Sequence, residues 1–121
     1  MSYINFHVGI IGTGIYIPEK RMTAAEISRA TNGAWSEEAV IDKLGIIEKS
    51  MPGETDGTQE MGALAALDCL KNSGLAASEI DLIISIGEEW KEYPLTTTAI
   101  YIQDRIGATN AWAFDLQQRC C

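Results

Sequence analysis

Residues 80–86 have the sequence IDLIISI, and this run gives the clearest indication of the fold class. The run is nearly continuous in apolar, mostly β-branched side chains, a pattern typical of a parallel strand that is covered on both faces. A helical pattern follows from about Thr96 to Ile106 and ends at Gly107, after which residues 111–116, AWAFDL, indicate another strand. A strand, a helix and a strand in this order predict a parallel βαβ unit.

Further elements are predicted on the N-terminal side of this unit. Residues 8–14, VGIIGTG, indicate a buried strand that runs into a glycine turn. We therefore expect strands near residues 7–13, 81–86 and 111–116 in one central sheet of an α/β layered sandwich.

Three helices are predicted between the first strand and the second. Thr23 and Glu26 have the spacing of a capping box, and Ser36 is the predicted cap of a second helix that ends at Gly45. The third helix, Thr58–Ser73, carries an apolar stripe and stops at a glycine. We expect this third helix to be buried against the sheet, with Cys69 as a small core residue.

Length and charge limit the class of protein. The chain has 121 residues, of which 46% are hydrophobic and 21% charged, as in one globular domain spanning residues 1–121. Its net charge of −8 has the wrong sign for binding a nucleic-acid backbone or an anionic membrane surface. The first residues lack the basic and apolar regions of a signal peptide, so we expect a cytoplasmic protein.

Cysteine, histidine and glycine spacing indicate no bound metal or cofactor. Three cysteines, two of them adjacent, do not suit a disulfide framework, and one histidine without a Cys-x-x-Cys motif does not suit zinc. Gly12 and Gly14 begin a dinucleotide-like motif, but Ile17 stands at its third glycine position and Pro18 prevents the required helix. We expect these glycines to serve a tight turn.

Cys120 is the candidate nucleophile. It lies four residues beyond Leu116, at the carboxyl end of a predicted strand, where parallel α/β sheets carry reactive groups. A helix starting at or after Cys120 would stabilise the thiolate and lower its pKa. The alternative is that Cys120 and Cys121 are small buried residues at the start of a helix.

Several motifs occur in register along the whole chain: VGIIGTGIYIP at 8–18, KLGI at 43–46, DLII at 81–84, YP at 93–94, IQ at 102–103, IGA at 106–108 and AFDL-x-x-x-C at 113–120. Together they resemble the N-terminal half of beta-ketoacyl-acyl-carrier-protein synthase III, in the thiolase-like superfamily. The resemblance implies a thiolase-like layered sandwich, with a mixed or parallel central sheet flanked by helices.

The resemblance also implies the chemistry. Cys120 matches the cysteine that is acylated by an acyl-CoA before condensation with a malonyl thioester, so the CoA or phosphopantetheine thioester is a substrate rather than a cofactor. The implied partners are acyl carrier protein and either a second copy or a complementing C-terminal half. That half holds the family's catalytic His and Asn, so we expect this chain alone to be inactive.

Three residues are candidates for substrate binding by resemblance. Lys43 falls at the position of an arginine that holds the CoA phosphate, whereas Ala39 replaces the tryptophan that holds the adenine. Trp35 lies four residues earlier and could supply that ring from a shifted loop. Tyr93, in the Tyr-Pro motif, is the third candidate.

Two alternatives stay open. A 3-hydroxy-3-methylglutaryl-CoA synthase-like enzyme would use a glutamate after the second strand as acid/base, a role that Glu88 or Glu89 could fill, although both could equally be solvated loop carboxylates. The second alternative is a non-catalytic interaction half. Its exposed sheet would be covered by a second copy or by the complementing half.

Overall fold

The computed structural model describes residues 8–87, 91 and 93–117, which fold into two compact units. One unit is Ile17–Gly57, and the other comprises residues 8–16 together with the described residues from Thr58 onward. In chain order the elements are β1 (Arg21–Thr23), α1 (Ala24–Ala30), α2 (Glu37–Asp42), β2 (Glu48–Ser50), α3 (Thr58–Ser73), β3 (Leu82–Ile86), α4 (Thr98–Ile106) and β4 (Trp112–Leu116), with a 3₁₀ turn at Ala77–Glu79.

The unit Ile17–Gly57 consists of two helices and a short two-stranded antiparallel sheet. Strands β1 and β2, which the sequence did not predict, pair antiparallel, and α1 packs on α2 around the fully buried Val40. The predicted capping box is confirmed, because the Glu26 amide donates to Thr23 Oγ1 (3.3 Å) and the Thr23 amide to Glu26 Oε2 (2.8 Å). The predicted Ser36 cap is confirmed as well.

The other unit contains the predicted βαβ arrangement. Strands β3 and β4 pair in parallel from Leu82 opposite Trp112 to Ile86 opposite Leu116, and α4 packs against both. Helix α4 ends at Gly107, whose φ of +76° lies in the left-handed region that glycine adopts without strain. These elements confirm the strand, helix and strand predicted around residues 80–116.

The N-terminal segment differs from the prediction. Residue 7 lies outside the described residues, and residues 8–13 form no strand: Val8 and Ile10 are 94% and 88% exposed and have no ladder partner in the described chain. The segment crosses α3 instead, because the Ile15 amide donates to Asp68 Oδ2 (3.0 Å) and Asn72 Nδ2 donates to the Thr13 carbonyl (3.0 Å).

Helix α3 has the predicted bounds but a different neighbour. It packs on α4 rather than on the sheet, because α4 already lies against both strands. Only Gln59 and Ala63 of α3 are buried, and Cys69 is half-buried, so the predictions of a helix buried against the sheet and of Cys69 in its core are wrong. Gly14 lies against this helix so closely that a Cβ there would overlap the Ala65 carbonyl and the Cys69 amide.

The β3–β4 sheet has one covered and one open face. Ile83, Ser85, Ala113 and Asp115 are less exposed and share the face against which α4 packs. The opposite side, here called the outer face, consists of Leu82, Ile84, Ile86, Trp112, Phe114 and Leu116, which are 45–81% exposed. The expectation that the apolar run is covered on both faces is therefore wrong within the described residues, which supply a cover for one face only.

Candidate active site

A pocket of about 350 Å³ lies where β3 and β4 end. The N-terminal turns of α3 and α4 close its sides, so strand ends and helix starts meet at one place. This is the edge at which parallel α/β sheets bind ligands. The lining residues are Thr58, Gly62, Ser85, Ile86, Gly87, Lys91, Thr98, Ile102, Asp115 and Gln117.

Asp115 is the most heavily engaged side chain of the pocket. Its Oδ1 accepts from the Ala99 amide (2.8 Å), and its Oδ2 accepts from the Thr98 amide (3.0 Å) and from Lys91 Nζ. The carboxylate thus caps α4 from a neighbouring strand, which matters because Thr97 at the N-cap makes no side-chain cap hydrogen bond.

The environment of Asp115 favours its charged form. Burial, the largest single influence, would raise the pKa of this carboxyl, but the hydrogen bonds from Lys91, Ala99 and Thr98 and the charge of Lys91 together lower the pKa below its ordinary value of 3.8. Lys91 Nζ also donates to the Thr96 carbonyl (3.0 Å). The ion pair therefore joins the loop after β3, the start of α4 and the end of β4.

Sequence reasoning missed the Lys91–Asp115 pair. Asp115 stands in the alternating pattern of β4 on the same face as Ala113, and a carboxylate on the covered face of a strand requires a buried partner. That signal was available in the sequence. The partner was not, because Lys91 lies 24 residues earlier in a loop.

Of the residues predicted to take part in the chemistry, some lie outside the described residues and others can be located. Cys120, Glu88 and Glu89 lie outside the described residues. Gln117, three residues before Cys120 in the sequence, lines the pocket. Tyr93 is 63% exposed and is not a lining residue; its carbonyl accepts from the Thr96 amide (3.0 Å).

Lys43 and Trp35 belong to the unit Ile17–Gly57. Lys43 is the C-cap of α2 and lines a recess of about 280 Å³ with Ser36, Glu38, Ala39 and Asp42, whereas Trp35 is 45% exposed and does not line it. The recess thus contains one cation and two carboxylates, a balance that disfavours a phosphate group. The structure does not bring Trp35 and Lys43 into the same recess.

A second polar cluster joins α3 to α4. Tyr101 Oη donates to Glu60 Oε2 (2.7 Å), and Arg105 donates to both carboxylate oxygens of Glu60 (3.1 and 2.8 Å). Hydrogen bonds from Tyr101 and Arg105 lower the pKa of Glu60, and the bond to Glu60 raises the pKa of Tyr101. This cluster follows from the packing of two helices and has no local sequence signal.

The described part of the chain shows neither a metal-binding cluster nor a membrane-spanning helix. Across residues 8–87, 91 and 93–117, no three His, Cys, Asp or Glu side chains are grouped in a way that could hold a metal ion. None of the helices in these ranges combines the length and apolar character needed to cross a bilayer. The cytoplasmic location stays a prediction.

No family model matches the sequence, but it is similar to curated proteins named beta-ketoacyl-[acyl-carrier-protein] synthase III. It is 35% identical over 109 residues to beta-ketoacyl-[acyl-carrier-protein] synthase III of Agrobacterium fabrum, covering 90% of this chain and 33% of that protein. The protein of the same name from Clostridium acetobutylicum is 37% identical over 113 residues, covering 93% and 34%. The chain thus spans about a third of the length of the curated relatives it matches.

Solved structures give the same result. The 3-oxoacyl-[acyl-carrier-protein] synthase III of Aquifex aeolicus superposes with a TM-score of 0.78 at 28% identity, covering 90% of this chain and 34% of that one. The synthase III of Thermus thermophilus gives 0.76 at 28% identity, covering 92% and 33%. The α/β thiolase-like fold class and the resemblance found in the sequence are confirmed.

Proposed function

We propose that this chain, a homologue of one part of the beta-ketoacyl-acyl-carrier-protein synthase III proteins, contributes the nucleophile of an acyltransferase. The Cys120 thiolate attacks the carbonyl carbon of an acyl-CoA, the bond from that carbon to the CoA sulfur breaks, and CoA leaves as a thiolate. A malonyl thioester then loses carbon dioxide, and its carbanion takes the acyl group and releases the Cys120 thiolate.

The observation that carries this proposal is the pocket at the carboxyl ends of β3 and β4. Gln117 lines it, and Cys120 follows three residues later. Because consecutive Cα atoms are 3.8 Å apart, any chain conformation keeps the Cα of Cys120 within about 11 Å of that of Gln117. We propose that the Cys120 sulfur meets a thioester in the pocket from within this distance.

The charges of the pocket favour a neutral substrate group. Lys91 and Asp115 form an ion pair with each other, so neither offers a free charge to a ligand. The other lining residues bring hydroxyl, amide and aliphatic groups, among them Ser85, Gln117 and Ile102. Such a lining suits an uncharged acyl thioester better than an anion.

We further propose that the chain alone does not turn over substrate. Condensation needs a group that promotes decarboxylation and donors for the new oxyanion, each worth about a hundredfold. The family resemblance assigns these roles to a His and an Asn beyond the third that this chain spans. The proposed partners are therefore acyl-CoA, acyl carrier protein and the polypeptide that supplies the remaining two-thirds.

Mass spectrometry of the complemented protein, mixed with acyl-CoA, tests the proposal. We expect one acyl adduct on the peptide that contains Cys120, lost in Cys120→Ala and retained in the matched control Cys121→Ala. An adduct on Cys69 or Cys121, or no adduct on any cysteine, would overturn the assignment.

The outer face of the β3–β4 sheet supports a second candidate, a non-catalytic interaction half. Its six apolar side chains are exposed, a feature typical of a surface that another polypeptide covers. The two candidates differ in one result. A complex that forms through this face but transfers no acyl group would favour the interaction half.

A further inference from the structure

We propose that Lys91 and Asp115 are positioning residues, whose ion pair joins Lys91, the end of β4 and the start of α4 and thereby sets the geometry in which Cys120 meets its thioester. The inference rests on the proposed function for the identity of the nucleophile. Its structural basis lies entirely in described residues.

The geometry around Asp115 links three chain segments at one point. The Asp115 carboxylate, whose side chain is 14% exposed, accepts hydrogen bonds from the Thr98 and Ala99 amides of α4. It also pairs with the ammonium group of Lys91, whose side chain is 24% exposed. Lys91 also donates to the Thr96 carbonyl, immediately before α4. Lys91, the end of β4 and the start of α4 are therefore linked to one another.

The two linked segments carry the candidate groups of the chemistry. Glu88 and Glu89 precede Lys91 by three and two residues, and Cys120 follows Asp115 by five. Removal of Lys91 leaves the Asp115 carboxylate without its cation, and loss of charge at Asp115 weakens its hold on the amides of α4. Either change removes the link between Lys91, the end of β4 and the start of α4.

A positioning role affects turnover rather than affinity. Lys91 and Asp115 are paired with each other and line the pocket, so they contribute to its shape but donate no free charge to a ligand. A displaced reacting group lowers the rate of the chemical step, because a shift of about 1 Å costs about a hundredfold. Binding of the remote parts of the substrate is unchanged.

The test compares Lys91→Met, Asp115→Asn and the double variant in the complemented protein. We expect each single variant to lower the rate of Cys120 acylation at saturating acyl-CoA by about a hundredfold per mole of folded protein, with little change in KM. The double variant should be no slower than the singles, because both remove one link. Lys91→Arg, which keeps the cation, should recover part of the rate.

Matched controls remove charges of the same kind elsewhere. Asp104→Asn on the exposed side of α4 and Lys71→Met on α3 should leave the rate as in the unsubstituted protein. Wild-type rates in the folded Lys91 and Asp115 variants, or additive losses in the double variant, would overturn the positioning role.

Alkylation of Cys120 by iodoacetamide gives a readout that needs no acyl transfer. We expect its rate to change in Lys91→Met and Asp115→Asn and to remain constant in the two controls, with the modified cysteine identified by peptide mass spectrometry. If the unsubstituted protein forms no acyl adduct, the proposed function fails while the alkylation rates still decide the positioning role. Equal alkylation rates in all variants would refute that role.

Discussion

The face of the β3–β4 sheet that α4 covers carries Ser85, Ala113 and Asp115 beside one large apolar residue, Ile83, whereas the outer face carries only large apolar side chains. Phe114 and Trp112 on the outer face are 45% and 81% exposed. Each large apolar side chain contributes about 1.5–3 kcal/mol when it is fully buried. On the covered face Asp115 accepts hydrogen bonds from the first amides of α4, whereas the outer face leaves large apolar side chains exposed whose burial would supply hydrophobic free energy.

Phe114→Glu tests whether the outer face binds another polypeptide. We expect it to weaken binding of the complementing polypeptide by about a hundredfold or more, since an unpaired carboxylate in an apolar interface costs several kcal/mol. Thr109→Glu, on an exposed turn of the same unit, is the control and should bind normally. Isothermal titration calorimetry measures both, and unchanged binding by Phe114→Glu would show that the outer face stays open.

Gly14→Ala tests the contact between residues 8–16 and α3. The added Cβ overlaps helix backbone at Ala65 and Cys69, so we expect a loss of about 3 kcal/mol in the free energy of unfolding. Gly9→Ala meets nothing within 4 Å and should change it by no more than about 0.5 kcal/mol. Urea unfolding compares the two, and equal effects would contradict the close packing.

Asp115→Asn tests the hydrogen bonds of the covered face. We expect a loss of about 1–3 kcal/mol at neutral pH, because the Lys91 cation loses its partner. The folded-state pKa of Asp115 is lowered, so its contribution is present above the ordinary value of 3.8 and is lost as the pH falls through the lowered pKa. Unfolding curves of the two proteins should therefore converge at acidic pH, and a constant gap would refute this origin.

Glu60→Gln should lower the stability of the protein least among these substitutions. Glu60 joins Tyr101 and Arg105 near the surface, where ion pairs contribute little, so we expect a smaller fall in melting temperature than for Asp115→Asn. Because the folded-state pKa of Glu60 is lowered, this contribution is present above its ordinary value of 4.5 and is lost as the pH falls through the lowered pKa. A larger fall in melting temperature than for Asp115→Asn would show that the α3–α4 contact through Glu60 contributes more to stability than the Asp115 hydrogen bonds.

Local signals in the sequence predicted much of this fold. The Ser36 cap, the Gly107 stop and the bounds Thr58–Ser73 depend on neighbouring residues, and all three are observed. Strand β1 was missed because Arg21–Thr23 is too short and polar to show a period of two. The strand predicted at residues 7–13 failed in its described part because an apolar run becomes a strand only where another strand completes its hydrogen bonds.

Of the candidate site too, only the features that depend on local sequence could be predicted. The position of Cys120 after a strand follows from the order of elements, and it stays a prediction. The Lys91–Asp115 pair depends on where a loop returns to the sheet, which a single sequence does not specify. Long-range polar partners were thus the part that sequence patterns could not supply.

The parallel pairing of Leu82 with Trp112 affects the order in which the chain folds. Only α4 and two loops separate these strands, so their sheet closes at a low cost in loop entropy, whereas Ile15 must find Asp68 across 53 residues. We therefore expect the β3–α4–β4 unit to form before residues 8–16 pack on α3. Until other residues cover it, the apolar outer face of this unit is exposed, and we expect this exposure to favour aggregation during folding.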